Sequence, residues 1–505
     1  MRSRSRPNAT RPRMPPTKSG TTEEPHAPVV NTRIVVAPAI DFGAVRAEFA
    51  LDDRYPASAI AEAEKTVDRF AAQREDHTDL PLVTIDPPGS MDLDQALHLE
   101  RTADGGFVLH YAIADVHAVV EPGGAIDKES HKRGQTYYLP DGSVPLHPRA
   151  LAEGSASLLP GEIRPAALWR MELDAAAEPV SVSVRRALVR SAARLDYAGV
   201  QADAVAGTLH PSIAALPDFG RLRQAAARAR GAIELRLPEQ DVVADGKGWT
   251  LQIEPRTAAD DWNSQVSLLT GMCAASMMIE AKVGLLRTLP PADSEAVAAL
   301  RHTAAALNVP WPAEVSVGNF LAGLDANLPT TLVLMSEAPA LLRGASYGLL
   351  DGSLPDLLVH GAIGAPYAHV TAPLRRLSDR YATEVCLAVS AGEPVPQQIR
   401  DELAAMPDIM SASDSIAGKI ARTCIDLTEA TVLAPRVGEQ FDATVIRGAN
   451  GRRDAQVFVP SETVIAPCSG EPDDGTHVRV TLDVADPVTR KVQFAYSPPT
   501  VPSTA

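Results

Sequence analysis

TIDPPGSMDLDQALHLE, residues 84–100, places Asp86, Asp92 and Asp94 within nine positions, together with two prolines and a glycine. The preceding LVTI is short and rich in β-branched residues, which predicts a strand ending at Asp86. PPGSM cannot extend that strand, because proline offers no N–H to a ladder and glycine relaxes the backbone. The chain therefore turns and presents Asp92 and Asp94. In an extended DLD, residues two apart share a side, so these two acids face one way and the loop can bring Asp86 to meet them. Three clustered carboxylates repel one another unless a cation sits among them. Oxygen donors suit Mg²⁺ or Mn²⁺, and no suitably spaced His or Cys nearby suggests zinc. The competing reading is a polar loop whose acids cap a helix or face water. An EF-hand is excluded by the missing DxDxDG core, and a phosphatase-type DxD nucleophile would follow its strand directly.

Outward from this stretch, ALHLER, TADGG and FVLHYAIADV read as a hairpin with a glycine-rich turn, and AALWRMELDAA and VSVSVRRALVR as further strands. From about residue 215 the texture turns helical. GRLRQAAARARGAIEL carries Arg221, Arg223, Arg228 and Arg230. SQVSLLTGMCAASMMIEAKVGLL reads as one long apolar helix, and DRYATEVCLAVSAG and SDSIAGKIARTCIDLTEATVL as two more. Early strands followed by later helices predict an α+β fold, a mixed sheet plus helices. FDATVIRG, AQVFVPSE, HVRVTLDVAD and KVQFAYS crowd short strands into about 60 residues, the pattern of a small OB/S1-like β-barrel. The expected organisation is a disordered tail over 1–33 and a short strand (RIVVAPAI) and helix (AIAEAEKTVDRFAAQ) segment over 34–80. A main domain then covers 81–390, a helical connection 391–435, the barrel 436–498 and a tail 499–505.

The 505 residues carry a net charge of −16, which argues against a surface that binds nucleic acid everywhere but leaves room for a basic channel inside an acidic shell. Six Arg or Lys in the first twenty residues, with no acid, suit either a solubilising tail or a weak RNA contact. No apolar run is long enough to span a membrane, and no apolar region follows the N-terminal arginines as in a secretory signal. The four cysteines form no CxxC pair, which predicts a reduced, cytoplasmic chain without structural zinc.

TIDPPGSMDLDQA resembles the TID-x5-D-x-D-D-A signature of the ribonuclease II (RNB-domain) family. Three further segments agree in order: YAIADVHAVVEPGGAIDKESHKRGQTYYLPDGSVPLHPRAL, ARARGAIELRLPE and HGAIGAPYAHVTAPLRRLSDRYA. The resemblance covers about residues 80–390, and the C-terminal barrel sits where that family carries an S1 domain. It implies an RNB catalytic domain that hydrolyses single-stranded RNA from the 3′ end, releasing nucleoside 5′-monophosphates with Mg²⁺, and no obligate protein partner, so a monomer. It implies that Asp86, Asp92 and Asp94 are the first three site aspartates, holding metal, with Asp92 and Asp94 serving catalysis. The fourth position is Gln95, whose neutral amide oxygen is a weaker ligand for a hard cation; His98, Asp115 or water are the candidates to complete the set. Tyr138 matches the tyrosine that stacks on the terminal base, with Tyr137 as the fallback. Arg375 matches the phosphate-contacting arginine, and Arg376 and His369 fall beside it as RNA-binding neighbours, although Arg376 is also placed to pair with Asp379. Arg221, Arg223, Arg228 and Arg230 either line the RNA path or form a solvated helix face. Residues 34–80 are too short for the two cold-shock barrels of the family's longer members, so a short form is expected. Gln95 motivates the alternative, a catalytically impaired RNA-binding or regulatory protein on the same scaffold.

Overall fold

A computed structural model describes residues 40–498, apart from 236–238, 245–248, 255, 326–327, 452 and 463. Both expected tails and most of RIVVAPAI lie outside the described residues. Five strands close the first barrel: Glu75–Ile85, Gln95–Arg101, Phe107–Ala114, Ile163–Leu173 and Pro179–Leu195. Neighbours in the chain pair antiparallel, and the ring closes where Glu75–Ile85 runs parallel to Pro179–Leu195. The two-residue period of the strands separates two sets of side chains. Ala96, Ala112, Ala166, Leu168, Ala187 and Val189 belong to one buried cluster. Leu97, Leu99, Leu109, Tyr111, Trp169 and Met171 belong to the larger one, shared with the helices Leu216–Ala229, Ala258–Ala281 and Leu377–Ala391.

The helix Ala258–Ala281 begins at a reciprocal cap, in which Thr257 and Asp260 satisfy each other's free backbone N–H groups. It stops earlier than the apolar run predicts. Lys282 takes a left-handed conformation, and Val283–Thr288 leaves as a strand paired with Ser346–Asp351. Gly284 enables the exit, with φ at +144° and its α-carbon pressed on Met278, where a Cβ would stand 2.5 Å from Cγ. The helix expected over 59–73 is likewise cut. Ala57–Ala63 is helical and Ala71–Gln73 makes one 3₁₀ turn. Between them Asp68 turns back to pair with Arg74, whose fully buried guanidinium also meets Asp115 at 2.9 Å. Tertiary ion pairing thus overrides an alanine-rich local preference.

A 37-residue helix, Gln397–Leu433, precedes the second barrel and accommodates Pro407 in its interior. The second barrel closes as Gln440–Arg447, Ala455–Val459, Val464–Ser469, Lys491–Tyr496 and His477–Asp486 around Phe441, Val445, Val457, Leu482 and Phe494. Val464–Ser469 is the strand that the sequence pattern did not reveal, because Pro467 interrupts it; Pro467 lies opposite Gln456 in the ladder.

Candidate active site

The acidic loop is fixed at both ends and in its middle. Asp86 directly follows the first barrel strand, and its N–H donates to Leu195 O at 3.1 Å. Ser90 N–H closes a turn onto Pro87 O at 3.2 Å, with Gly89 at φ +86° where the turn needs it. Leu93 is fully buried, and its N–H donates to Ser157 Oγ at 2.9 Å. Asp92 and Asp94 therefore flank a rigid anchor: Asp92 is half-buried and Asp94 is 5% exposed.

Asp94 docks a distant segment. Its Oδ1 accepts the Leu374 N–H at 2.7 Å, and Arg375 Nε stands 3.7 Å from its Oδ2. Burial pushes the Asp94 carboxyl up to about 8, with Asp92 adding to the rise and Arg375 opposing it. Burial likewise raises Asp86 to about 6, again with Arg375 opposing and Asp92 adding. Both shifts come chiefly from desolvation, to which the Asp92 carboxylate adds and which Arg375, and at Asp86 also Arg194, opposes.

Tyr138 lies on the short hairpin Tyr137–Leu139/Gly142–Val144 and is 55% exposed. Its phenol titrates above its usual range because of desolvation and the Asp92 and Asp94 carboxylates, while Arg375 acts in the opposite sense. The aromatic ring, the arginine and the acids thus share one site. Tyr137 points away from it: buried against Phe42, Ile420 and Cys424, it donates to Arg133 O at 2.9 Å. Arg376 is also committed elsewhere, to Asp379 through Nε at 3.0 Å and Nη2 at 2.7 Å, while Asp379 also accepts the Ala372 N–H at 2.8 Å. His369 stands 2.9 Å from Tyr347 OH between two tyrosine rings, and burial drives its imidazole well below the usual range, so it is neutral at pH 7. Arg221 pairs with Asp218, and the buried Arg223 with Glu178 at 2.7 Å, which suits structure more than an RNA path.

Gln95 is held at both ends of its amide. Nε2 donates to Thr371 O at 2.6 Å, and Oε1 accepts from Tyr111 OH at 2.6 Å with Ser267 Oγ 3.4 Å away. Neither suggested substitute takes its place: Asp115 binds Arg74 and Arg186 and caps a helix, and His98 stacks on His110. Tyr111 and Ser267 are the site neighbours that motif reading missed. The one available signal was a tyrosine, next to His110, in the largely apolar strand FVLHYAIA.

Among the described residues no three His, Cys, Asp or Glu side chains already stand close enough to cage an ion. The donors nonetheless fit a hard cation. Among the described residues Asp86 Oδ2 is buried with no hydrogen-bond partner, beside the like charge of Asp92, and oxygen donors of this kind are what Mg²⁺ or Mn²⁺ takes.

The chain is 27% identical over 419 residues to ribonuclease R of Aquifex aeolicus, covering 78% of this chain and 58% of that relative's length. Mycoplasma genitalium RNase R in complex with ribose methylated single-stranded RNA superposes with a TM-score of 0.80 at 19% identity, over 90% of this chain and 78% of that one. Yeast Ssd1, a pseudonuclease, superposes with a TM-score of 0.63 at 16% identity, over 88% and 54%. At such identities the two superpositions establish the fold alone. The model of the RNase II-type exonuclease C-terminal S1 domain matches residues 439–497, the second barrel. The RNB domain model matches residues 74–389, more than half of the chain, and the protein therefore belongs to the RNB family.

Proposed function

We propose that the protein is a metal-dependent, hydrolytic 3′→5′ exoribonuclease that shortens single-stranded RNA to nucleoside 5′-monophosphates, acting as a cytoplasmic monomer. One observation carries this reading: docking of Leu374 on Asp94 sets Arg375 among Asp86, Asp92 and Asp94 and beside the exposed ring of Tyr138. Each part suits one requirement of the reaction. Tyr138 offers a face on which any terminal base can stack, which needs no sequence preference. Arg375, 44% exposed at its side chain, presents a planar guanidinium that matches phosphate oxygens and offsets charge developing on them. Asp94 turns Oδ2 toward Arg375, 3.7 Å away, where the carboxyl would orient the attacking water. Mg²⁺, with Mn²⁺ as the alternative, would be held by Asp86 and Asp92 and would supply Lewis-acid polarisation of the phosphodiester.

The test is a 5′-labelled single-stranded RNA incubated with purified protein and Mg²⁺ or Mn²⁺. The expected result is a ladder shortening from the 3′ end and abolished by Asp94→Asn. The second reading, an RNA-binding protein without turnover, is favoured by the commitment of Gln95 Oε1 to Tyr111. Tight RNA binding with no shortening in either metal would establish that reading and sink the first.

A further inference from the structure

Asp94 and Gln95 are consecutive, and both hold the same distant loop. Asp94 Oδ1 accepts from Leu374 N, and Gln95 Nε2 donates to Thr371 O. The two tethers bracket the turn that delivers Arg375, the very next residue. Both bonds are short, at 2.7 and 2.6 Å, and both anchor residues are buried, Thr371 at 4% and Leu374 at 1% exposure. Beyond the amide, Tyr111 OH and Ser267 Oγ lie 2.8 Å apart and face Gln95 Oε1; the Thr371 carbonyl, which only accepts, fixes the amide orientation, nitrogen toward it and oxygen toward the hydroxyls.

A carboxylate cannot fill this position in the same way. It has no donor for Thr371 O, so a buried carbonyl would lose its partner, and it would set a negative charge against that carbonyl dipole. The amide is therefore matched to its surroundings through its N–H donor, a property that metal ligation does not require.

We infer that Gln95 is a positioning residue, not a cation ligand: together with Asp94 it forms a two-point clamp on residues 371–374 that sets Arg375 for the substrate phosphate. What Arg375 does rests on the exoribonuclease reading, whereas the clamp rests on the hydrogen bonds alone. Restoring an acid at position 95 then lowers turnover instead of raising it.

A double-mutant cycle tests this, with kcat and KM measured on a 5′-labelled RNA for the full-length wild type, Gln95→Glu, Arg375→Ala and the double variant. Gln95→Glu is expected to lower kcat by about tenfold or more, as a misplaced catalytic group does. It is expected to add less than about threefold once Arg375 is gone, because both changes act on one element. Calorimetric titration with Mn²⁺ is expected to give the same stoichiometry for wild type and Gln95→Glu. Tyr111→Phe, which frees the oxygen end of the amide but spares the Thr371 bond, should give a smaller loss with the same dependence on Arg375. It carries the cycle if thermal melting shows Gln95→Glu unfolded. Additive losses, a faster Gln95→Glu enzyme, or an extra equivalent of Mn²⁺ bound by that variant would overturn the inference. If the wild type does not cleave RNA at all, the exoribonuclease reading fails separately. The same cycle is then read in the affinity for a fluorescent oligonucleotide, where Gln95→Glu must weaken binding only when Arg375 is present.

Discussion

A cation at this site must compete with protons, and the structure gives the size of that competition. Without a bound ion Asp86 titrates at about 6 and Asp94 at about 8, each raised chiefly by burial and further by Asp92. At pH 5 only about a tenth of Asp86 is ionised and at pH 7 about nine tenths, so an ion that needs its carboxylate gains roughly tenfold in affinity, ~1.4 kcal/mol, over that interval. A second gain of roughly tenfold between about pH 7 and about pH 9 follows if binding also expels the Asp94 proton. Titration calorimetry with Mn²⁺ across this range, in buffers of different ionisation enthalpy, measures both the affinity and the protons released. An affinity independent of pH, with no proton release, would refute the argument. The same raised values set the stability of the ion-free protein. Both folded values lie above the unfolded carboxyl value of about 3.9. Their stabilising contribution is therefore complete below about pH 4 and is lost as pH rises through about 6 for Asp86 and about 8 for Asp94. For Asp86 the loss is roughly 3 kcal/mol, because each tenfold difference in proton affinity between folded and unfolded chain is worth ~1.4 kcal/mol. Asp94→Asn, which cannot ionise, is accordingly expected to melt at a higher temperature than wild type at pH 8 in the absence of metal.

Three other outcomes follow from particular contacts. Asp379→Ala strands the Arg376 guanidinium and the Ala372 N–H, and should cost about 3–5 kcal/mol in urea unfolding; a loss below about 1 kcal/mol would mean that the pair is not structural. Tyr138→Ala removes an exposed ring and is expected to weaken oligonucleotide binding by about 1–3 kcal/mol, with the unfolding midpoint unchanged. Gly271→Ala would place a Cβ 2.1 Å from the Tyr367 ring and 2.7 Å from Ala368 O. It should destabilise by about 1–3 kcal/mol in the same unfolding measurement, as overpacking does.

What the sequence revealed follows how local each signal is. The hairpin around TADGG, the main helices and the crowding of strands near the C-terminus are written in contiguous residues. Closure of the first barrel is not, because it depends on Glu75–Ile85 pairing in parallel with Pro179–Leu195, about a hundred residues on. Val464–Ser469 was hidden by Pro467, and the end of the Ala258–Ala281 helix by an apolar run that continues unbroken into a strand. The site divides in the same way. Its acids fall within nine positions, so spacing alone singles them out, as it does the Arg376–Asp379 pair, three residues apart at a helix start. The partners of Gln95 come from positions 111, 267 and 371, and no local pattern joins them.

Those partners bear on whether the amide at position 95 marks a decayed site. A ligand lost by drift would leave its former neighbours unpaired, whereas here both ends of the amide are satisfied and two hydroxyls face its oxygen. Among the described residues one buried oxygen left without a hydrogen-bond partner is Asp86 Oδ2, in a carboxyl that burial and Asp92 push toward its protonated form. An unpartnered buried polar atom costs about 1–3 kcal/mol, and a protein that only held RNA would gain stability by replacing that acid. An acid kept at this cost, beside Asp92 and opposite Arg375, fits the proposed cation-binding site. Asp86→Asn should therefore raise the melting temperature of the ion-free protein while abolishing its stabilisation by Mn²⁺. A variant that melts no higher, and still responds fully to Mn²⁺, would remove the argument for a metal at this position and with it the strongest physical reason to prefer the nuclease over the binding protein.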